Sequence, residues 1–240
     1  MIEAIDLSKR YPSGRLALDA LNLQVGAGEI YCLLGPKGAG KTTVINLLLG
    51  LTEATAGRAM IAGRNVADDP NAARRQVAFL TEGTMFYDRL TVRQNLDFFT
   101  RLGRPSPLPR AEGEMTLREV GLPEASFDRK LSELGPGAIR KLGLAVALAR
   151  DTPALLLDEP LSGVDPKAAS ELVEILEGLR DRGKALLITL QELYWVRQLA
   201  DRAGFLQEGR QVLARTREEL RYEDLERLYL DYSRGGWMAR

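Results

Sequence analysis

The stretch GPKGAGKT, residues 35–42, decides the fold of this chain. It fits the pattern G-x-x-x-x-G-K-[ST] and lies between an apolar run, residues 30–34, and the helical pattern of residues 41–49. A backbone that curls tightly around an anion needs glycine, because a Cβ atom obstructs the curl. The N-terminus of the following helix adds the positive end of its dipole. The segment therefore predicts a phosphate-binding loop between a buried strand and a helix.

The chemistry of the side chains in this loop suggests their roles. Lys41 is expected to reach the β- and γ-phosphates of a nucleotide, and the Thr42 hydroxyl to bind Mg²⁺. Lys37 adds a positive charge that either strengthens phosphate binding or faces solvent. The alternative for the whole segment is a glycine-rich turn with a solvent-facing lysine. The predicted nucleotide-binding residues here are Gly35, Pro36, Lys37, Gly38, Ala39, Gly40, Lys41, Thr42 and Thr43.

A second apolar run, ALLLDEP at residues 154–160, ends in two carboxylates. Its leucines predict a buried strand, which brings Asp158 to the carboxyl end, where ligands of open α/β sheets bind. Asp158 is predicted to contact Mg²⁺ directly or through water, and Glu159 to orient or deprotonate an attacking water. The alternative is that both acids only cap the strand or open a helix. Together with the glycine loop, the run favours nucleotide hydrolysis.

The composition of the 240 residues excludes several classes of protein. An apolar fraction of 45% and a charged fraction of 28% are typical of a folded globular chain. The 33 basic and 33 acidic residues give no net charge, which counts against a dedicated nucleic-acid-binding protein. No uncharged apolar window is long enough to span a bilayer, and the first ten residues do not suggest a secretory leader.

The chain contains no histidine and a single cysteine. Serine–histidine triads and HExxH metal sites are therefore excluded, and so are internal disulfides. Any proton transfer or orientation of water must fall to a carboxylate, an amide or an amine. Cys32 lies in the apolar run before the glycine loop and is expected to be a small core residue.

Hydrophobic patterning predicts an α/β core with a helical insertion at about residues 85–150. Residues 21–25 alternate apolar and polar, as in a half-buried strand. The helical pattern begins at Thr91, a predicted N-cap. Strands return after residue 150, and residues 204–213 resemble a hairpin.

These segments together resemble the ATP-binding subunits of ABC transporters, over about residues 2–232, and most closely the ATPases that serve ABC-2-type export permeases. The resemblance implies one ABC ATPase domain, residues 1–232: a P-loop NTPase α/β core with an antiparallel β subdomain and an inserted helical subdomain. Residues 233–240 are expected to form a mobile tail. The resemblance also implies that the chain binds ATP and Mg²⁺ and that it works with an integral membrane permease on a separate chain. Its implied location is cytoplasmic, peripheral on the inner face of the cell membrane.

The resemblance assigns roles to further residues. Tyr11 matches the aromatic residue that stacks on adenine. SGVDP, residues 162–166, resembles the D-loop, in which Asp165 contacts the facing subunit; Asp165 can also cap the helix that follows. Residues 77–92 resemble the Q-loop, and Glu82 stands where glutamine is usual, although a carboxylate there can still hold Mg²⁺ or water.

Two motifs depart from the family pattern. The signature, usually LSGGQ, reads LGPGA at residues 134–138, where Gly135 lacks a hydroxyl and Pro136 lacks an N–H. Gly137 and the helix dipole remain at this predicted dimer interface. Gln191 stands where the family has a catalytic switch histidine; an amide can donate a hydrogen bond but cannot carry the positive charge. Both departures predict slow hydrolysis.

These departures leave several functional interpretations open. A heterodimer, in which the second ATPase subunit has an intact signature, is favoured over a homodimer. A nucleotide-gated regulatory clamp that binds ATP and hydrolyses it poorly is the main alternative to a transport motor. Neutral charge and the lack of coiled-coil heptads disfavour a DNA-repair relative, so no nucleic-acid partner is expected. Residues 85–87 either pack in the core or line a groove that receives a permease helix.

Overall fold

The computed structural model describes residues 1–81, 86–102 and 106–222. The strands are β1 (Ile2–Arg10), β2 (Leu16–Val25), β3 (Glu29–Leu34), β4 (Ala56–Ile61), β5 (Arg64–Asn65), β6 (Val77–Leu80), β7 (Ala154–Asp158), β8 (Ala185–Leu190), β9 (Arg202–Gln207) and β10 (Arg210–Thr216). The helices are α1 (Lys41–Leu48), α2 (Pro70–Arg75), α3 (Val92–Arg101), α4 (Arg110–Glu119), α5 (Pro136–Ala149), α6 (Pro166–Asp181), α7 (Leu193–Leu199) and α8 (Arg217–Tyr222).

Two sheets organise the described chain. A six-stranded sheet has the order β10-β9-β3-β8-β7-β6, and its neighbouring strands are parallel except for the antiparallel β9–β10 hairpin. A four-stranded antiparallel sheet has the order β2-β1-β4-β5. The predicted α/β fold with an antiparallel β subdomain is therefore confirmed. Because β3, β7 and β8 are parallel neighbours, their carboxyl ends meet at one edge of the sheet.

The apolar runs of the sequence form the central strands. Every residue of β7 and β8 is buried, as expected of strands covered on both faces. Cys32 in β3 is also fully buried. Burial raises the pKa of its thiol well above the usual value, and the nearby Asp201 carboxylate adds to this, so the thiol stays protonated and serves as a core residue. On the edge strand β6, Phe79 is 40% exposed, while the other three residues of the strand are buried.

Helices α3, α4 and α5 form the part of the chain predicted to be a helical insertion. The Thr91 hydroxyl accepts the Gln94 N–H at 3.2 Å, and the Gln94 side chain accepts the Thr91 N–H at 2.9 Å, which completes a capping box at the start of α3. Every helix within residues 1–81, 86–102 and 106–222 is too short or too polar to cross a membrane. Three predicted features lie wholly or partly outside the described residues: Glu82; the first residue of the 85–87 segment; and the expected tail within residues 223–240.

Candidate nucleotide-binding site

The glycine loop is pressed against two strands, which explains its glycines. A Cβ atom on Gly35 would lie 2.3 Å from the Leu206 carbonyl oxygen, and one on Gly40 would lie 2.5 Å from the Ala17 carbonyl oxygen. Gly38 and Gly40 also have left-handed φ angles of +86° and +114°. The loop therefore curls as the sequence predicts, but Gly35 is needed for a close contact with β9 rather than for an unusual φ angle.

Lys41, the first residue of α1, turns its side chain back into the loop. The side chain is 7% exposed, and its ammonium donates to the Gly35 carbonyl at 2.5 Å. It also lies 3.1 Å from Glu159 Oε1, so the predicted phosphate-binding cation and the predicted general base form a buried ion pair. Because both side chains of this ion pair are almost fully shielded from water, their attraction is much stronger than at a protein surface.

The end of β7 brings the two predicted Mg²⁺ ligands together. The Thr42 hydroxyl donates to Asp158 Oδ2 at 2.9 Å. The other oxygen, Oδ1, accepts from the Thr189 hydroxyl at 2.5 Å, because Asp158 on β7 is in register with Thr189 on β8. Carboxylate and hydroxyl oxygens are hard ligands of the kind that Mg²⁺ prefers, so Thr42 and Asp158 fit this ion.

Glu159 is held in a rare backbone conformation at the edge of the sheet. Its φ angle is +51°, a left-handed value that costs a residue with a side chain about 1 kcal/mol or more. The Glu159 N–H donates to the Thr189 hydroxyl at 3.0 Å, which helps to hold this geometry. The carboxylate is thereby directed at the loop, where it meets Lys41.

The loop and the sheet edge line a solvent-open cavity of about 310 Å³, a volume within the range of small-molecule binding sites. The cavity is lined by Lys37, Lys41, Thr42, Glu159 and Gln191, all of which the sequence predicts as site residues. Of its described lining residues, three are cations and one is an acid, which suits an anionic ligand. The lining residues are Arg15, Pro36, Lys37, Gly38, Gly40, Lys41, Thr42, Thr43, Glu159 and Gln191.

Tyr11 lies in the turn between β1 and β2. Its hydroxyl is 3.4 Å from the Thr43 hydroxyl on α1, which ties the turn to the phosphate-loop helix. The Lys9 ammonium lies 5.2 Å from the centroid of the Tyr11 ring, close enough for a cation–π contact. The ring is half-buried beside the loop.

The signature segment lies at the start of α5, away from the described lining of the cavity. Gly135 and Pro136 are exposed, and a Cβ atom on Gly135 would meet nothing within 4 Å. Gly137 is buried, and a Cβ atom there would lie 2.9 Å from Ala168 Cβ on α6. Asp165 caps α6 by accepting the Ala168 N–H at 3.1 Å, so the capping role predicted for this residue is present.

Sequence reasoning missed two residues of this site. Thr189 bonds both Asp158 and the Glu159 N–H, but it lies within the apolar run of β8 and carries no motif. Arg15 lines the cavity from the β1–β2 turn, and no local pattern marks it. Strand register is the signal for Thr189, since it places this hydroxyl beside Asp158.

Gly35→Ala is expected to weaken ATP binding by about tenfold or more and to lower the Tm by several degrees. The new methyl group must displace the Leu206 carbonyl or the loop, and overpacking of this kind costs about 1–3 kcal/mol. Gly178→Ala is the matched control, because a Cβ atom at Gly178 meets nothing within 4 Å. Titration of each variant with ATP and thermal unfolding test this; wild-type affinity in Gly35→Ala would contradict it.

Comparisons with known proteins agree with this geometry. The sequence model of the family described as ABC transporter matches residues 18–162. The Nod factor export ATP-binding protein I of Burkholderia orbicola (strain AU 1054) is 37% identical over 211 residues, 88% of this chain and 69% of that protein. The daunorubicin resistance ATP-binding protein DrrA2 of Streptomyces coeruleorubidus is 35% identical over 224 residues, 92% of this chain and 68% of that protein.

A solved structure of the ATP-binding subunit of an ABC transporter superimposes on the chain with a TM-score of 0.83. It is 29% identical in sequence, and the match covers 97% of this chain and 99% of the solved one. The family model and the relatives thus agree on an ATP-binding subunit, and the solved structure agrees with the fold described above. The chain therefore belongs to the ABC transporter family, as an ATP-binding subunit with the P-loop NTPase fold.

Proposed function

We propose that this chain binds Mg·ATP in the loop cavity and hydrolyses it to drive an export permease carried on a separate chain. The observation that carries the proposal is the meeting of Lys41, Thr42, Asp158 and Glu159 at one edge of the sheet. The export function named for the Nod factor relative supports the direction of transport. On this account the chain works on the cytoplasmic face of the membrane and is held there by the permease.

The side chains of the site divide the work of hydrolysis. Lys41 binds the β- and γ-phosphates, and Thr42 and Asp158 hold Mg²⁺, which neutralises phosphate charge when bound. Glu159 orients or deprotonates the attacking water. Because Lys41 is ion-paired with Glu159 at 3.1 Å, the γ-phosphate and Glu159 compete for the same ammonium. Nucleotide binding therefore frees the carboxylate to act on water.

A second ATPase subunit completes the site in this proposal. In the family, the signature of one subunit clamps the γ-phosphate bound by the other. Here both residues are exposed, but Gly135 offers no hydroxyl and Pro136 offers no N–H, so this chain's contribution to the facing site is weak. A heterodimer with a partner that has an intact signature would restore a full clamp over this chain's own cavity, and it is favoured over a homodimer.

The permease is proposed to dock in an apolar groove of about 850 Å³ between the sheet edge and α5. Phe86 and Phe99 pack edge to face there, with ring centroids 4.9 Å apart, and exposed Phe79 lies on the β6 wall. Fully or partly exposed aromatic side chains in a groove are typical of a surface that receives an apolar helix face. Phe86 belongs to the 85–87 segment, for which the sequence allows two roles, packing in the core or lining a groove.

Purification of the tagged chain in mild detergent, followed by mass spectrometry, tests the proposal. An integral membrane protein is expected to co-purify in a constant ratio, together with a second ATPase if the heterodimer is right. Phe79→Asp, which places a charge on the groove wall, is expected to release the permease, while Tyr194→Asp, at an exposed aromatic residue absent from the described groove lining, is not. Recovery of the chain alone from membranes, or retention of the permease by Phe79→Asp, would contradict the docking proposal.

A nucleotide-gated clamp is the second candidate function, and Gln191 is the residue that favours it. Gln191 lines the cavity in the place of the family's switch histidine, and it cannot become a cation. Loss of one positioned donor at such a site costs about 10²–10³ in rate, although the amide retains part of the contact. Tight ATP binding without turnover, even with all partners present, would support the clamp over the motor.

Restoring the signature is expected to raise ATP turnover by the purified chain about tenfold or more when two copies face one another, because each signature then acts on the other copy's site. Gly135→Ser with Pro136→Gly returns the hydroxyl and the N–H, and a hydrogen bond to a charged group contributes about 1.5–3 kcal/mol. The serine fits, since a Cβ atom on Gly135 meets nothing within 4 Å. Gly178→Ser adds a hydroxyl elsewhere as the control. Equal phosphate release by the restored and wild-type chains would contradict the claim that the altered signature slows hydrolysis.

A further inference from the structure

The β1–β2 turn, residues 11–15, is tied to the phosphate loop at both of its ends. Within the turn, the Tyr11 N–H donates to the Arg15 carbonyl at 2.9 Å, and the Gly14 N–H donates to the Tyr11 carbonyl at 2.9 Å. Tyr11 reaches the Thr43 hydroxyl at one end. Arg15 reaches the loop at the other end, and it is the residue of this turn that lines the cavity.

Arg15 combines a fixed position with a charge on the cavity wall. Its Nη2 donates to the Gly38 carbonyl at 2.8 Å, and its side chain lines the cavity beside Lys37 and Lys41. A guanidinium has several N–H donors in a planar fork that matches phosphate oxygens. The bond to Gly38 orders the side chain before any ligand binds, which lowers the entropic cost of a contact with the ligand.

We propose that Arg15 is a nucleotide-binding residue of this chain and that its guanidinium contacts the phosphate chain of ATP. The inference rests on the nucleotide site proposed above and adds a contact that none of the sequence motifs contains. One short turn then recognises both parts of the ligand, since Tyr11 serves the base and Arg15 the phosphates. The added cation offsets part of the positive charge that Gln191 cannot supply in this cavity.

Titration calorimetry of the full chain with Mg·ATP and Mg·ADP tests this role. Arg15→Gln removes the charge and is expected to lower the affinity for both nucleotides by about fivefold to twentyfold, since the contact is charge-assisted but partly exposed to water. Arg15→Lys keeps the charge and is expected to retain most of the affinity. The difference between wild type and Arg15→Gln is expected to shrink at high salt, because salt screens an exposed charge.

Arg10→Gln is the matched control for bracing of the turn. Arg10 Nη1 donates to the Gly14 carbonyl at 2.8 Å, so Arg10 supports the same turn but is absent from the described cavity lining. We expect wild-type affinity in this variant. Equal weakening by Arg10→Gln and Arg15→Gln, or wild-type affinity in Arg15→Gln, would overturn the inference. A folded wild-type chain that binds neither nucleotide would instead overturn the proposed nucleotide site itself.

Discussion

Lys41→Ala is expected to weaken ATP binding by about a hundredfold or more and to abolish transport by the assembled system. The ammonium lies at the centre of the loop, 2.5 Å from the Gly35 carbonyl and 3.1 Å from Glu159. Each charge-assisted hydrogen bond from it to a phosphate contributes about 1.5–3 kcal/mol, so loss of two corresponds to about a hundredfold or more. Calorimetric titration measures the binding, and substrate flux in membranes measures the transport.

A control must separate lost phosphate contacts from a damaged fold. Lys41→Ala leaves the Glu159 carboxylate buried without its cation, which destabilises the site by itself. The double variant Lys41→Ala with Glu159→Gln removes that orphan charge and is expected to fold normally and still fail to bind ATP. Lys37→Ala, an exposed lysine of the same loop, is expected to weaken binding by less than about tenfold. Full flux with Lys41→Ala would refute the motor function.

Glu159→Gln is expected to lower ATP hydrolysis by about 10²–10⁴ while ATP affinity stays equal or rises. The amide cannot accept the proton of the attacking water, and general-base catalysis contributes about that factor. Affinity rises because a neutral amide competes less with the γ-phosphate for Lys41 than the carboxylate at 3.1 Å does. Single-turnover phosphate release and ATP titration measure the two effects separately.

Glu192→Gln is the matched carboxylate change, since Glu192 is exposed and is absent from the described lining of the cavity. We expect this variant to hydrolyse ATP at the wild-type rate. Wild-type turnover by Glu159→Gln would show that another group activates the water. A loss of ATP affinity in Glu159→Gln would contradict the competition for Lys41.

Local patterns predicted the parts of the site that depend on adjacent residues. The glycine loop gave the strand–loop–helix unit, because β3 and α1 flank it without interruption. The apolar run before Asp158 gave a buried strand with an acid at its carboxyl end. Since all parallel strands of such a sheet end at one edge, the Thr42–Asp158 contact at 2.9 Å follows from these two motifs together.

Contacts between segments that are distant along the chain could not be predicted from local sequence patterns. Thr189 holds Asp158 because of the register between β7 and β8, and no pattern within β8 distinguishes its one polar residue as a site residue. Gly35 is required by the carbonyl of Leu206, which belongs to a strand far along the chain. Arg15 enters the cavity only because the β1–β2 turn folds over Gly38.

The account depends on one physical claim, that the cavity around Lys41 binds the triphosphate of ATP with its Mg²⁺ held by Thr42 and Asp158. Isothermal titration of the purified, folded chain with Mg·ATP tests it most directly. The account predicts saturable binding at one site per chain, weakened when Mg²⁺ is withheld and lost in Lys41→Ala. A folded wild-type chain that releases no heat with Mg·ATP, or that binds it equally well without Lys41, would contradict it.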